Sequence, residues 1–484
     1  MTVDYDLIIL GGSPLGRYAA AQANQLGARV ALIEPSIAQP LDDWWAGLAL
    51  LNPSLRAVNM PPIVNMPPIG AQVLPPTWTD LCRYIAVSTD RFNASSLPST
   101  RLPHLEVAGV EVIRAGGSFC RQLPLGFAVA DRLLQARAYL LTPPLQSSRP
   151  IIPGIEAIQT VPLTEFQPSP WGTLPKRLLI VGIDARGLVC AQALQRLGVQ
   201  ITLVTRHSQL LPGEDADGAQ LLRAVLEADG VTVLTHTTLE QFYQKPDQID
   251  VAAREQTADF PIHFAVDAVL LATPLQLDLH PLNLATVGVQ WRSDRIPVNR
   301  HLQTSQPRIY ACGACLGSEP SPAIDRHEAD IAIANALFWP FRQPHYRGLP
   351  VTVPTDPAWV RIGLTEHQAR RQYGDLIQVA SRSLQVSEKA QLQAEPIGFL
   401  KLIAHRDGTI LGAQAIGAQT SEWISPLALA MQQSLSIYQL AKSHFLSPTF
   451  AELISPMAQQ LSRQSQPRWQ QNLITSWLDF GRSR

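Results

Sequence analysis

Two segments of this chain repeat one local pattern, and the repeat constrains its fold more than any other feature. The first runs Asp6-Leu7-Ile8-Ile9-Leu10, then Gly11-Gly12-Ser13-Pro14-Leu15-Gly16. An Ala-rich stretch over residues 17–26 follows, stopped by Gly27, and then Arg29-Val30-Ala31-Leu32-Ile33-Glu34. The second begins at Arg177 with Leu178-Leu179-Ile180-Val181-Gly182. It continues through a helical stretch to Leu197-Gly198 and ends in Ile201-Thr202-Leu203-Val204. Each reads as strand, glycine turn, helix, strand, a βαβ unit. Two such units predict an α/β chain with two Rossmann-like domains of the nucleotide-binding type.

Composition narrows the class further. The chain has 484 residues, 46% hydrophobic and 16% charged, enough apolar material for a large core and for several domains. The formal net charge is −1, so no basic footprint for nucleic acid is present. The five cysteines (Cys82, Cys120, Cys190, Cys312, Cys315) are odd in number and mostly far apart. That usage predicts a reducing, cytoplasmic setting rather than a disulfide framework. No apolar run reaches the ~18 residues of a transmembrane helix, and residues 1–6 carry two acids and no base, unlike a signal peptide.

Between the two units lies an irregular region in which Asn59-Met60-Pro61-Pro62-Ile63 recurs as Asn65-Met66-Pro67-Pro68-Ile69. Paired prolines favour extended chain, so the repeat is read mainly as a spacer and secondarily as a docking segment. From about Val351 the pattern changes again. Gly398-Phe399-Leu400-Lys401-Leu402-Ile403, a turn at Asp407-Gly408-Thr409, and Ile410-Leu411-Gly412-Ala413 read as a hairpin. Helical periodicity follows over residues 422–435 and again after Thr449, predicting a third, α+β domain. In the last stretch, Leu473, Ile474, Trp477, Leu478 and Phe480 would share one helical face. Packing on its own domain is the plain reading of that tail; contact with a partner or a membrane surface is the sharper one.

This order of units resembles the class I pyridine nucleotide-disulfide oxidoreductases: dihydrolipoamide dehydrogenase, glutathione reductase and mercuric reductase. The likeness spans roughly residues 4–460. It is most specific in Thr355-Asp356-Pro357, Val360-Arg361-Ile362-Gly363-Leu364-Thr365-Glu366 and the hairpin, which resemble the family's dimerisation domain. It implies an FAD-type domain over residues 1–150 and 266–345, and an NAD(P)-type domain over 151–265. A dimerisation domain over 346–462 and an amphipathic tail over 463–484 complete the chain. The expected assembly is a homodimer, and the expected chemistry is hydride transfer from NAD(P)H to FAD.

The working residues decide whether that chemistry survives. The FAD fingerprint Gly-x-Gly-x-x-Gly appears as Gly11, Ser13 and Gly16, with Gly12 between. The first glycine permits the tight turn, the second admits the pyrophosphate to backbone N–H groups, and the third lets helix approach strand. Glu34 stands where the family's acid binds the adenosine ribose. Two Ala-Thr-Gly turns of the family read Leu141-Thr142-Pro143 and Ala272-Thr273-Pro274. In Ile309-Tyr310-Ala311-Cys312-Gly313-Ala314, Gly313 is kept, but Ala314 replaces the aspartate that holds the ribityl chain.

The disulfide machinery is replaced. The family's Cys-x-x-x-x-Cys-x-Pro-Ser-Lys aligns with residues 46–55, in register through Pro53 and Ser54. Ala46 and Leu51 stand at the cysteines and Leu55 at the lysine, and an alkane side chain forms no thiolate. The His-Pro-Thr-x-x-Glu motif reads Ser447-Pro448-Thr449-Phe450-Ala451-Glu452. A serine hydroxyl does not titrate near neutral pH and cannot stand in for the histidine base.

The second fingerprint reads Gly182-Ile183-Asp184-Ala185-Arg186-Gly187. Asp184 takes the position nearest a bound pyrophosphate. Two unit charges ~4 Å apart repel by ~4 kcal/mol at an effective dielectric near ~20, about three orders of magnitude in affinity. Arg186 would screen part of it, and Val189 replaces a family glutamate. Arg206 and His207 resemble the residues that grip a 2′-phosphate, so NADPH is the expected nucleotide if one binds. Cys312-Gly313-Ala314-Cys315 is a Cys-x-x-Cys, read mainly as core packing and secondarily as a redox pair. Lacking a second Cys or His pair, it predicts no metal site. The expected protein is a divergent flavoprotein without disulfide reductase chemistry, passing electrons to another acceptor. The alternative is a dimeric scaffold with vestigial nucleotide sites. No catalytic residue is assigned.

Overall fold

The computed structural model describes residues 3–35, 100–121, 125–165, 173–256, 260–317, 321–465 and 482. Ala46, Leu51, Pro53, Ser54, Leu55, the proline repeat, Cys82 and the apolar face of the tail lie outside them. The chain divides into two compact units. One comprises Met1–Leu210 with Leu226–His345; the other comprises Leu211–Val225 with Tyr346–Arg484.

The first unit opens with β1 (Tyr5–Leu10), α1 (Pro14–Gln25) and β2 (Val30–Ile33). β1 pairs in parallel with β2, Leu7 facing Val30 and Leu10 facing Ile33. On its other edge it pairs in parallel with β3 (Arg132–Leu141). Apolar residues run continuously along β1 because both faces of this sheet are covered. Leu7 and Ile9 pack with Ala19, Ala20 and Ala23 of α1, whereas Ile8 and Leu10 pack with Phe119, Phe127 and Tyr139. Helix α1 begins three residues before the Ala-rich run, because Ser13 caps it and Pro14 fits its first turn.

The second βαβ unit is β4 (Arg177–Val181), α2 (Ala185–Arg196) and β5 (Gln200–Val204). β4 lies between β5 and β6 (Ala268–Leu271), both parallel to it. The sheet has five strands, and a three-stranded antiparallel sheet over residues 237–266 follows in the chain. β7 (Ile309–Ala311) then returns to pair with β3, and α3 (Pro322–Leu337) follows it. Both dinucleotide-type folds are thus built as the paired patterns predict.

The second unit centres on a five-stranded antiparallel sheet. Its hairpin joins Phe399–His405 to Ile410–Gly417, and Thr409 donates its N–H to Asp407 Oδ1 at 2.8 Å across the turn. Helices Ser425–Gln432 and Ile454–Ser465 supply Leu427, Met431, Met457 and Leu461 to its core. No helix among the described residues is long and apolar enough to cross a membrane.

Candidate nucleotide sites

Both glycine turns lie in the first unit. In the first, Gly11 has φ +135°, and a Cβ there would sit 2.0 Å from the carbonyl oxygen of Thr142. A Cβ on Gly16 would sit 2.1 Å from the carbonyl oxygen of Gly11. Only glycine lets the turn close against Thr142, whose N–H donates to Leu10 O at 2.9 Å. Ser13 takes the remaining fingerprint position. Its Oγ accepts the Gly16 N–H at 3.1 Å and donates to Thr142 O at 3.2 Å. The substitution therefore turns a bare helix start into a capped one.

Glu34 follows β2, and its N–H donates to Ile113 O at 2.9 Å. Glu34 is only 3% exposed, and its side chain lies across Gly12, where a Cβ would come 2.2 Å from Glu34 Cγ. Its Oε1 pairs with Nη2 of Arg17. Its Oε2 is buried without a hydrogen-bond partner among the described residues, and so is Nε of Arg17. Glycine turn, helix start and buried acid make a cradle that fits the adenosine end of FAD. The sequence by itself does not mark Arg17. A lone arginine in an alanine-rich helix carries no signal of its own until the helix direction relative to β2 is known.

Gly313 closes the other side of this site. A Cβ there would lie 2.3 Å from Leu15 Cδ2 and 3.4 Å from Asp325 Oδ1. Its N–H donates to Glu328 Oε2 at 2.7 Å, and Glu328 is buried. Ala314 thus offers no acid, but α3 brings Asp325 and Glu328 beside Gly313. These two acids were not singled out in the sequence, where nothing marks them as neighbours of the first turn.

Cys312 and Cys315 face opposite sides of the sheet. Cys312 packs with Leu7 and Ala20, Cys315 with Phe119 and Tyr139. Cys315 Sγ donates to Cys312 O at 3.1 Å. Burial pushes both thiols well above the ordinary cysteine value, with Glu328 and Asp325 adding to it. This is the environment of structural cysteines. Cys120, Cys190, Cys312 and Cys315 are all free. The described residues hold no cluster of His, Cys, Asp and Glu suited to a metal.

The second turn keeps its two structural glycines. Gly182 has φ +105°, with a Cβ placed 2.1 Å from Ala272 O, and a Cβ on Gly187 would meet Ala272 Cβ at 2.6 Å. Between them Asp184 caps α2. Its Oδ1 accepts the Arg186 N–H at 2.9 Å and Arg186 Nε at 3.0 Å, and its Oδ2 accepts Arg186 Nη2 at 3.2 Å. A carboxylate and its guanidinium occupy the helix start where a phosphate would be received. A dinucleotide pyrophosphate does not fit this arrangement. Arg206 and His207 are exposed just beyond β5, and the His207 N–H donates to Thr205 Oγ1 at 3.2 Å. In the second unit, Ser447 is exposed and Glu452 half-buried.

Fold and turns together define a protein of two dinucleotide-type domains with an α+β C-terminal domain. Residues 5–329 match the pyridine nucleotide-disulphide oxidoreductase family, and residues 349–458 match that family's dimerisation domain. The chain belongs to this family, in its class I branch, whose members are FAD-dependent pyridine nucleotide oxidoreductases. It is 32% identical over 284 residues to a dihydrolipoyl dehydrogenase of Bacillus subtilis, covering 58% of this chain and 60% of that relative. It is 26% identical over 466 residues to mercuric reductase of Staphylococcus aureus, covering 93% of this chain and 81% of that one. Among solved structures, the HOCl-induced flavoprotein disulfide reductase RclA of Escherichia coli superposes with a TM-score of 0.77 at 22% identity. That match covers 94% of this chain and 99% of RclA, and at this identity it speaks for the fold alone.

Proposed function

We propose that this protein is an FAD-binding member of its family that delivers electrons to an acceptor other than a disulfide. The observation that carries the reading is the intact cradle of the first fold: Gly11, Gly12 and Gly16 closed against Thr142 and Glu34, with Glu34 Oε2 buried and without a hydrogen-bond partner among the described residues. Gly11, Gly12, Ser13 and Gly16 would face the pyrophosphate, Glu34 the adenosine ribose, and the Gly313 segment with Asp325 and Glu328 the ribityl side. Bound there, a flavin supplies reversible one- and two-electron transfer. The chain's own part is to bind and orient it. Ala46, Leu51 and Leu55 supply no thiolate or lysine, and Ser447 no base, so no residue here relays electrons or protons to a disulfide.

Arg206 and His207 keep basic groups suited to a 2′-phosphate, but Asp184 and Arg186 fill the turn between. That closure favours a second reading, a non-catalytic homodimeric scaffold. Residues 349–458, which match the dimerisation domain, support the homodimer in either case. Four free cysteines among the described residues support a reducing, cytoplasmic setting.

The test is the visible spectrum of protein purified without added cofactor. A flavin band at one equivalent per chain supports the first reading. A colourless protein that takes up no FAD overturns it in favour of the scaffold. Efficient NADPH-dependent reduction of lipoamide or glutathione disulfide would overturn the claim that its acceptor is not a disulfide.

A further inference from the structure

Resting on that reading, we propose that Arg17 is a binding residue for the adenosine ribose of the flavin dinucleotide, acting jointly with Glu34. The two side chains form one partly buried ion pair at the mouth of the glycine turn, Glu34 the deeper of the two. Each keeps one polar atom unused. Glu34 Oε2 is an acceptor and Arg17 Nε a donor, and both are shut from solvent with no hydrogen-bond partner among the described residues. A buried donor and a buried acceptor left together cost free energy unless a ligand serves both. A vicinal diol does so: one hydroxyl donates to the carboxylate while an oxygen of the pair accepts from the guanidinium.

The backbone explains why Arg17 can reach. Arg17 follows Gly16 in the first turn of α1, and its N–H donates to Ser13 O at 3.0 Å. Glu34 lies over Gly12, which offers no Cβ to hold it away. The guanidinium therefore meets the carboxylate at the cradle. Arginine carries Nη2 and Nε in one rigid plane, so Nη2 holds the acid while Nε is left for the ligand, which lysine does not reproduce.

The experiment titrates apoprotein with FAD, reading the change in flavin fluorescence, with FMN as the probe lacking adenosine. Wild type is expected to bind FAD and discriminate against FMN. Arg17→Leu is expected to weaken FAD by ~10–100-fold while leaving FMN unchanged. If Arg17 only neutralises Glu34, the double variant Arg17→Leu/Glu34→Gln will regain wild-type FAD affinity, and the proposal falls. If Arg17→Leu does not fold, as judged by its apoprotein melting curve, Arg17→Lys serves instead. Lysine keeps the charge without Nε, so unchanged FAD affinity in that variant overturns the proposal. Wild type that binds no FAD at all overturns the flavoprotein reading and this proposal together; wild type that binds FAD with Arg17→Leu equally tight overturns this proposal alone.

Discussion

Asp184 Oδ1 receives both the backbone N–H and the Nε of Arg186, at 2.9 and 3.0 Å, so a single carboxylate oxygen closes the start of α2. Ser13 does the milder equivalent in the first fold, where its hydroxyl caps α1 without adding charge. In both folds the glycines that shape the backbone are kept, and the one at the fingerprint position that would face a pyrophosphate is replaced. The replacement is neutral in one case and anionic in the other, which is why the two sites differ.

Replacing Asp184 by glycine should therefore open the second site. NADPH affinity in Asp184→Gly is expected to rise at least ~10-fold by calorimetry, less than the full Coulomb figure because Arg186 already screens the acid. Loss of the side-chain cap should cost only a few tenths of a kcal/mol of stability, because glycine is itself tolerated at a helix N-cap. Unchanged NADPH affinity would show that the carboxylate is not the obstacle.

Two glycines one turn apart should fail differently. Gly16→Ala drives a Cβ to 2.1 Å from a backbone carbonyl, which cannot yield, so about 3 kcal/mol or more of stability should be lost. Gly12→Ala meets the Glu34 side chain instead, at 2.2 Å from Cγ, and that chain can rotate away. The second variant should lose FAD affinity with the smaller loss of stability. Denaturant midpoints and flavin titrations of the pair check this contrast.

Lys401 carries a separate prediction for the second unit. Its buried ammonium lies 2.5 Å from Asp217, 3.3 Å from Asp215 and 3.4 Å from Glu366. Burial alone would lower its pKa, but the Asp217 hydrogen bond and the three acids outweigh that and raise it above 10.5. A raised lysine pKa stabilises fully below the ordinary value and is lost as pH climbs through the folded one. Stability from this cluster should thus hold up to about pH 10.5 and decline above it. Lys401→Met should cost ~3–5 kcal/mol at neutral pH, because Asp215 and Asp217 lose their counter-charge while Glu366 keeps Arg370, and should flatten the alkaline decline. Melting temperatures between pH 7 and 11 would decide it.

Thiol reactivity offers a direct check on the Cys-x-x-Cys. Native-state alkylation followed by mass analysis should modify the half-buried Cys120 well before Cys190, Cys312 or Cys315. Early modification of Cys312 or Cys315 would contradict the core-packing assignment.

The amino-acid sequence alone determined the architecture. Continuous apolar strands such as Leu7-Ile8-Ile9-Leu10, ended by glycines, have few alternatives to a parallel sheet covered on both faces. Ala46, Leu51 and Leu55, which align with the family's two cysteines and lysine, carry no thiol or amine, and the proposal of a non-disulfide acceptor rests on that reading of the sequence. What tertiary structure decided is how the side chains at the turns are used. Cys312 and Cys315 read as a possible pair until the sheet sends them into two different cores. Asp325 and Glu328 reach Gly313 only because α3 folds back across the sheet, and Arg17 meets Glu34 only because α1 runs beside β2. These meetings join residues far apart in the chain, through rotamers and buried charges that local periodicity does not encode.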